Sequence, residues 1–211
     1  MDQSDKTLID ISNWKRKDHF NFFSAFEEPF YGMTVKVDCT IAYQQAKKNN
    51  VSFFLYYLYR ALKAANSIEN FRYRIINNNV YLYDTINASP TVNKPDGTFG
   101  FSYMSFYEDE NLFYDFAKQE IERVRMSSGL DPALSGENVI HFSAIPWVDF
   151  SSLSHARSFS HSDSCPKISF GKITEENSLK KMPVAVHAHH GLVDGYHIGL
   201  FIERFQELLN N

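Results

Sequence analysis

The densest group of reactive side chains in the sequence lies between residues 187 and 197. Four of the chain's eight histidines fall in this short stretch, together with one aspartate and two glycines. Glycine permits backbone geometry that a Cβ would obstruct, and a strand that ends at a glycine turn can aim side chains into a cleft. This stretch is therefore the first candidate for a catalytic segment. Its reactive residues are His187, His189, His190, Asp194 and His197.

Residue type alone leaves three interpretations of these histidines open. They could be structural side chains, hydrogen-bonded at a strand end. They could hold a metal, because His187 and His189 would share one face of a strand and Asp163 or His161 could add a third ligand. No second cluster in the sequence has recognisable ligand spacing, however. The third interpretation is acyl transfer, in which a neutral imidazole takes the proton of an attacking hydroxyl.

Three short motifs favour acyl transfer. The last one resembles the His-His-x-x-x-Asp-Gly signature of CoA-dependent acyltransferases, and the first two are similar to the opening segment and the Ser-Ala-x-Pro-Trp segment of chloramphenicol acetyltransferases. They occur in the family's order, with weak similarity along nearly the whole chain, so the sequence resembles the chloramphenicol acetyltransferase family. The motifs read Asn13-Trp14-Lys15-Arg16-Lys17-Asp18-His19-Phe20, Phe142-Ser143-Ala144-Ile145-Pro146-Trp147-Val148 and His189-His190-Gly191-Leu192-Val193-Asp194-Gly195.

The resemblance implies roles for four residues. His190, the second histidine of the pair, would be the general base, and Ser143 would donate its hydroxyl to the oxyanion. Asp194 is a tempting third member of a Ser-His-Asp triad, but the family pairs this aspartate with the arginine that Arg16 matches. Arg16 and Asp194 would then support the active-site turn as a salt bridge. Attack would be direct, within a ternary complex and without an acyl-enzyme.

The resemblance also implies a co-substrate and an assembly. Acetyl-CoA would be the acetyl donor, and no metal is expected. Ser169 and Lys172 match a family stretch that lies near the CoA, although either could be a solvated strand residue. Chloramphenicol acetyltransferases are homotrimers whose active sites lie between subunits, so further copies of the chain are the expected protein partners.

The expected acceptor pocket departs from the family. Glu27 stands where the family is mostly apolar or aromatic, and burying an unpaired carboxylate is expensive. The leading expectation is a chloramphenicol O-acetyltransferase that confers antibiotic resistance. The alternatives are an acetyltransferase for another small hydroxyl or amine acceptor, and a non-catalytic binding protein on the same scaffold. The expected pocket residues are Phe23, Glu27, Tyr31, Leu153 and His155.

Bulk composition excludes several other classes of protein. With 211 residues, 44% of them hydrophobic, the chain is expected to form one domain, residues 1–211, without a disulfide or metal. A net charge of −4 without a basic stripe argues against a nucleic-acid partner. Cys39 and Cys165 are far apart and indicate buried thiols in a reducing compartment. The polar N-terminus and the lack of an apolar run of about 20 residues predict a cytoplasmic protein without a membrane partner.

Hydrophobic periodicity predicts the elements that position these residues. The pattern indicates an α+β domain, and the resemblance implies a two-layer sandwich with helices packed on one side of a mixed, mostly antiparallel sheet. The predicted helices are Trp14–Phe26, Thr40–Lys48, Phe53–Asn66, Leu112–Met126 and Tyr196–Leu209. The predicted strands are Leu8–Ile11, Phe30–Cys39, Phe71–Ile76, Val80–Thr85, Thr98–Phe106, Val139–Ile145, Lys167–Thr174 and Met182–His190.

Overall fold

A computed structural model of the protein describes residues 5–130, 136–158 and 163–211. A short 3-10 helix, Ile11–Asn13, precedes the first α-helix. The α-helices are α1 (Lys17–Phe23), α2 (Thr40–Lys48), α3 (Phe53–Asn66), α4 (Glu69–Arg72), α5 (Glu110–Met126) and α6 (Gly195–Leu209). The strands are β1 (Lys6–Leu8), β2 (Phe30–Asp38), β3 (Tyr73–Ile76), β4 (Asn79–Tyr83), β5 (Asn87–Asn93), β6 (Phe99–Phe101), β7 (Val139–Ala144), β8 (Lys167–Phe170), β9 (Thr174–Glu176) and β10 (Leu179–His189).

The main sheet has the strand order β2-β10-β8-β7-β5-β6, and β9 pairs with one end of β10. β7 runs parallel to both β5 and β8, whereas the other pairs in this sheet are antiparallel. A second, smaller antiparallel sheet has the order β1-β4-β3. The predicted α+β class and the mixed, mostly antiparallel sheet are confirmed. The separate small sheet was not part of the prediction.

The hydrophobic core lies on one face of the main sheet, beneath the helices. Successive side chains of a strand point to opposite faces, so Val184, Val186 and Ala188 of β10 face the core. Phe201 and Phe205 of α6 belong to the same core, and both side chains are completely buried. Burying a phenylalanine stabilises the fold by roughly 1.5–3 kcal/mol. The same alternation sends the intervening residues of these strands to the other face, where the polar side chains discussed below lie.

The helices from α2 onward match the sequence prediction closely, and the elements before β2 do not. The predicted strand Leu8–Ile11 and helix Trp14–Phe26 are wrong at their boundaries, because a 3-10 turn occupies the intervening residues. Asp10 causes this turn: its carboxylate accepts hydrogen bonds from the Ser12 backbone N–H (3.0 Å) and the Asn13 amide (2.7 Å). α1 therefore begins only at Lys17.

Between residues 87 and 176 the strands differ from the prediction in three places. β5 was missed because its sequence, which includes Pro90, has no alternating pattern. The predicted strand Thr98–Phe106 pairs only over β6, after which Ser102 donates its hydroxyl to the Pro90 carbonyl (2.7 Å). The predicted strand Lys167–Thr174 is split into β8 and β9, since Lys172 donates its N–H to Val148 rather than to a neighbouring strand.

No helix within the described part of the chain is long and apolar enough to cross a membrane.

Candidate active site

The candidate catalytic histidine lies where β10 ends. His189 is the last residue of the strand, and the backbone N–H groups of Leu192 and Val193 both donate to its carbonyl (2.9 and 3.0 Å), which closes a tight turn. The N–H of His190 donates to the carbonyl of Pro29 (2.8 Å), so the first turn residue is still tied to the segment before β2. This backbone network fixes the position from which the His190 side chain leaves the sheet.

Two aromatic rings enclose the imidazole of His190. The Phe23 ring stacks on it at a centroid distance of 3.9 Å and an interplanar angle of 5°. Tyr31 packs on the other side at 4.2 Å and 30°. Nδ1 of His190 is buried and has no hydrogen-bond partner among the described residues. The orientation of this ring is therefore set by stacking rather than by a polar contact.

Arg16 is hydrogen-bonded to three groups of the turn. Its Nη1 donates to the Asp194 carboxylate at 2.8 Å, while Nε and Nη2 donate to the carbonyls of Gly191 and His190, each at 3.3 Å. Burial would raise the pKa of Asp194, but the hydrogen bond from Arg16 and the nearby charges of His197 and Arg16 outweigh it and lower that pKa. The predicted Arg16–Asp194 salt bridge is present in the structure.

Asp194 is also the N-cap residue of α6. Its carboxylate accepts a hydrogen bond from the N–H of Tyr196 (3.1 Å), and its own N–H donates to Nδ1 of His197 (3.2 Å). This capping box satisfies donors at the helix N-terminus that otherwise have no intrahelical partner. One aspartate therefore links the turn, the arginine and the last helix.

The two histidines of the pair differ in their surroundings. His189 is only 4% exposed, and its Nδ1 accepts a hydrogen bond from the N–H of Gly191 at 3.1 Å. Burial lowers the pKa of His189 to about 4, and the charge of Arg157 adds to this effect. His190 is half-buried beside the two aromatic rings. These surroundings suit a structural role for His189 and are compatible with the reactive role expected of His190.

Ser143 lies far from His190 within one chain. Ser143 of β7 is in register with Ser169 of β8, which is in register with Ala185 of β10. His190 is five residues beyond Ala185. Strand rise and strand spacing then place Ser143 and His190 roughly 20 Å apart. One chain alone does not bring the two predicted catalytic residues together.

A cleft of about 600 Å³ opens at the ends of β7 and β8. Ala144, next to Ser143 in the sequence, and Lys172 both line it. Ser169 does not: it is fully buried on the same sheet face as Ser143, and its Oγ has no partner among the described residues. Of the two predicted cofactor residues, only Lys172 therefore lines the cleft. Its other lining residues include Phe53, Phe54, Tyr57, Val92, Ile121, Arg125, Pro146 and Met182.

The five predicted acceptor residues fall into separate groups. Phe23 and Tyr31 contact His190, as described above. Leu153 and His155 lie instead over the sheet, where the His155 ring packs on His187 at 4.8 Å. Glu27 is exposed and lines a smaller cavity of about 270 Å³. The expected cost of a buried carboxylate at Glu27 therefore does not arise.

The metal interpretation has little support in the structure. Asp163, the suggested third ligand, forms an ion pair with Lys167. His161 lies outside the described residues. Across residues 5–130, 136–158 and 163–211, no group of three or more His, Cys, Asp or Glu side chains is arranged to hold a metal ion.

Sequence reasoning missed His141 and Lys167. His141 is two residues before Ser143 on β7, and Lys167 is two residues before Ser169 on β8, so strand alternation puts all four side chains on one face. The alternation of side chains along the predicted strands Val139–Ile145 and Lys167–Thr174 would have placed these two residues on the same face as Ser143 and Ser169.

Comparisons with known proteins agree with the geometry. The family model "Chloramphenicol acetyltransferase" matches residues 4–206. A chloramphenicol acetyltransferase of Staphylococcus intermedius is 30% identical over 205 residues, which cover 96% of this chain and 95% of that protein. Chloramphenicol acetyltransferase 3 of Escherichia coli is 27% identical over 207 residues, 97% of each chain.

A solved structure of a chloramphenicol acetyltransferase superposes with a TM-score of 0.90 at 35% sequence identity, covering 97% of this chain and all of that one. The match of fold extends over the same range as the match of sequence. The chain therefore belongs to the chloramphenicol acetyltransferase family and is an acetyl-CoA-dependent acyltransferase.

Proposed function

We propose that the protein transfers an acetyl group from acetyl-CoA to a hydroxyl of chloramphenicol, with His190 as the general base. The observation that carries this proposal is the enclosure of the His190 ring between Phe23 and Tyr31, on a turn that Arg16 and Asp194 hold in place. A base that is fixed in one orientation loses little entropy when the acceptor arrives. Because Nδ1 is buried, we assign the proton-accepting role to Nε2.

In the proposed reaction the acceptor oxygen attacks the thioester carbonyl carbon while its proton passes to His190. The carbonyl oxygen becomes an oxyanion, to which the Ser143 hydroxyl donates a hydrogen bond. Collapse of this intermediate breaks the carbon–sulfur bond, and the imidazolium returns its proton to the departing thiolate. The products are the O-acetyl ester and free CoA, and His190 is again neutral.

The 600 Å³ cleft is the proposed site for acetyl-CoA. Its aromatic and aliphatic lining suits the pantetheine arm, and Lys172 and Arg125 supply positive charge for phosphates. Ala144, the last residue of β7, lines the cleft, whereas strand alternation turns the Ser143 side chain to the opposite face of the sheet. The thioester would therefore have to pass the end of β7 to reach the proposed oxyanion donor.

We further propose that the working site is shared between copies of the chain in a homotrimer. The separation of roughly 20 Å between Ser143 and His190 in one chain supports this, because both groups must reach the same reacting carbonyl. Two identical copies that meet heterologously would place the His190 turn of one against the Ser143 face of the next. The remaining proposals are a single domain over residues 1–211 and a location in the cytoplasm, where the buried free thiols Cys39 and Cys165 would stay reduced.

A thiol-release assay with acetyl-CoA and chloramphenicol tests the activity. We expect steady release of CoA and an acetylated drug in the mass spectrum. Absence of both with folded protein, over a range of drug concentrations, would end the proposal.

Mixed assemblies test the shared site. His190→Ala and Ser143→Ala chains are each expected to be nearly inactive, but after unfolding and refolding together they should regain about a quarter of wild-type activity, since one interface in four pairs an intact His190 with an intact Ser143. Each variant refolded alone is the control. If both residues act within one chain, no intact site can form and the mixture stays inactive.

A further inference from the structure

Side chains from two distant parts of the sequence donate hydrogen bonds to the carbonyl groups of the turn after β10. Arg16 donates to the carbonyls of His190 and Gly191, each at 3.3 Å. The next carbonyl, that of Leu192, accepts a hydrogen bond from Nδ2 of Asn70 at 2.8 Å. Of these three bonds, the one from Asn70 is the shortest. The turn is therefore fixed by a second residue besides Arg16.

Asn70 lies on the short helix α4, which is well anchored. The neighbouring Phe71 is completely buried, and its ring packs on Phe201 of α6 with centroids 5.1 Å apart. Arg72 donates to the carbonyl of Tyr83 on β4 (2.7 Å). Because α4 contacts both the helix that follows the turn and the small sheet, the Asn70 amide approaches the turn from a rigid element.

A chain of hydrogen bonds connects α4 with the segment that carries Arg16. Nε1 of Trp14 donates to the Tyr73 hydroxyl at 3.3 Å, and the two rings meet edge-on with centroids 5.1 Å apart. The Tyr73 hydroxyl in turn donates to the carboxylate of Glu69. Trp14 is two residues before Arg16, and Glu69 is next to Asn70. The two residues that bind the turn are thus braced against each other.

The position of the His190 ring depends on the backbone of this turn. Stacking orients the ring, and its Nδ1 has no hydrogen-bond partner in the described part of the chain. No side-chain bond through Nδ1 could therefore compensate for a shift of the backbone. A displacement of about 1 Å between reacting groups can cost about 10²-fold in rate. A bond to the carbonyl of Leu192, two residues after His190, therefore bears on catalysis.

We propose that Asn70 is a positioning residue for His190. Its amide fixes the part of the turn that lies between the two carbonyls and the Asp194 carboxylate, which Arg16 binds. Asn70 acts only through the backbone and contacts neither substrate. This inference rests on the proposed role of His190 as the general base.

Two variants of Asn70 test this inference. Asn70→Ala removes the donor, and Asn70→Asp keeps the size of the side chain but replaces the amide by a carboxylate, which only accepts hydrogen bonds when ionised. Thiol release from acetyl-CoA with chloramphenicol is measured well below the melting temperature of each variant. We expect kcat to fall about fivefold in the alanine variant and at least as much in the aspartate variant. KM for both substrates should stay within about twofold, because the lost bond does not involve either substrate.

Asn66 provides a matched control, because it makes the same kind of bond away from the turn. Its Nδ2 donates to the carbonyls of Ile86 (2.9 Å) and Leu62 (3.1 Å). Asn66→Ala should lower the melting temperature and leave kcat of the folded protein within about twofold of the wild type. Circular dichroism confirms that each variant is folded.

Hydrogen exchange measures the turn directly, without reference to activity. The N–H groups of Leu192 and Val193, which donate to the His189 carbonyl, lie in a peptide of residues 187–197 that mass spectrometry can follow. In Asn70→Ala these groups should exchange at least about threefold faster, because the turn opens locally more often. In Asn66→Ala their exchange should match the wild type.

The outcomes separate this inference from the proposed function. If the wild type releases no thiol, both fail. If the wild type is active and Asn70→Ala keeps its kcat and its exchange rates, only the positioning role is wrong. Equal losses of kcat in Asn70→Ala and Asn66→Ala would indicate a general loss of stability and would also overturn it. A higher KM with unchanged kcat would place Asn70 in substrate binding instead.

Discussion

The turn after β10 and the sheet face beside Ser143 hold their histidines in different ways. At the turn, the His190 imidazole lies between two aromatic rings. Arg16 keeps the backbone in place by donating to the Asp194 carboxylate and to two carbonyls of the turn. On the face, the His155 ring packs edge-on against the His187 ring, and one buried nitrogen of each ring has no hydrogen-bond partner in the described part of the chain.

We propose that this difference separates chemistry from recognition. A ring fixed by stacking and a rigid turn has one orientation, which suits a proton transfer that is the same for every acceptor. The face instead carries His155, which the family resemblance expects in the acceptor pocket, so its side chains would contact the acceptor without taking its proton. Changes at the turn should therefore reduce turnover of all acceptors alike, whereas changes on the face should alter the ranking of acceptors.

The largest effect is expected at His190. His190→Ala should lower kcat about 10²–10⁴-fold for every acceptor, because the general base is lost. The free energy of unfolding of this variant should fall by only about 1 kcal/mol, because the His190 ring makes stacking contacts and its Nδ1 has no hydrogen bond to lose. Thiol-release kinetics and thermal melting measure the two effects.

The neighbouring His189 provides the contrasting variant. His189→Ala removes a buried ring and its hydrogen bond from Gly191, so it should destabilise the fold by about 2 kcal/mol or more. A His190→Ala protein that melts as early as His189→Ala would show that both histidines are structural.

Ser143 is expected to have the second-largest effect. Ser143→Ala should lower kcat about 10²–10³-fold with little change in KM, because its hydroxyl is assigned to the oxyanion and not to the ground state. Ser143→Thr keeps a hydroxyl on a strand position that accepts β-branched side chains, and it should recover part of the loss. A Thr variant as inactive as the Ala variant would point to shape rather than hydrogen bonding at this position.

The Arg16–Asp194 pair should act through the turn rather than on the substrate. Asp194→Asn is expected to reduce kcat about tenfold and stability by about 1–2 kcal/mol at neutral pH, between the values of exposed and buried ion pairs. The reason is that Arg16 loses its charged partner while the helix cap is weakened.

The pH dependence identifies this contribution. The pKa of Asp194 is lower in the folded protein than in the unfolded chain, so its stabilising effect is present at neutral pH and is lost as the pH falls through the folded-state pKa. Melting temperatures of wild type and Asp194→Asn should therefore converge in acid. Asp115→Asn, which removes an exposed carboxylate of a surface pair, is the control and should leave the curve unchanged.

The chemistry of the turn could be predicted from the sequence because it is local. The signature residues from His189 to Asp194 are contiguous, and the strand and helix on either side have clear periodicity. The partner Arg16 lies 178 residues from Asp194, and only the family resemblance connected the two. Residue patterns alone give no information on such a distant pair.

The sheet face could be predicted less well, because its members come from four strands and a loop. β7, β8 and β10 each contribute one or two side chains, and β2 contributes Gly32, which leaves space for the His187 ring. The neighbours in space are set by register rather than by spacing in the sequence. His155 comes from a segment without regular structure, and its contact with His187 depends on the path of that loop. The missed strand β5 has the same cause: its pairing with β7 is tertiary, and its sequence has no periodic pattern.

The smallest effect is expected at Glu27, where two adjacent glutamates differ. Glu28 accepts a hydrogen bond from the Phe30 N–H (2.9 Å) and pairs with Arg157, whereas Glu27 is exposed at the rim of the smaller cavity. Glu27→Leu should change the free energy of unfolding by no more than about 0.5 kcal/mol, because it breaks no contact. It should lower the KM for chloramphenicol about threefold, because it adds apolar surface to the rim. Glu28→Leu, in contrast, should destabilise the loop before β2. If Glu27→Leu melts as early as Glu28→Leu, then Glu27 is part of the scaffold and does not contact the acceptor.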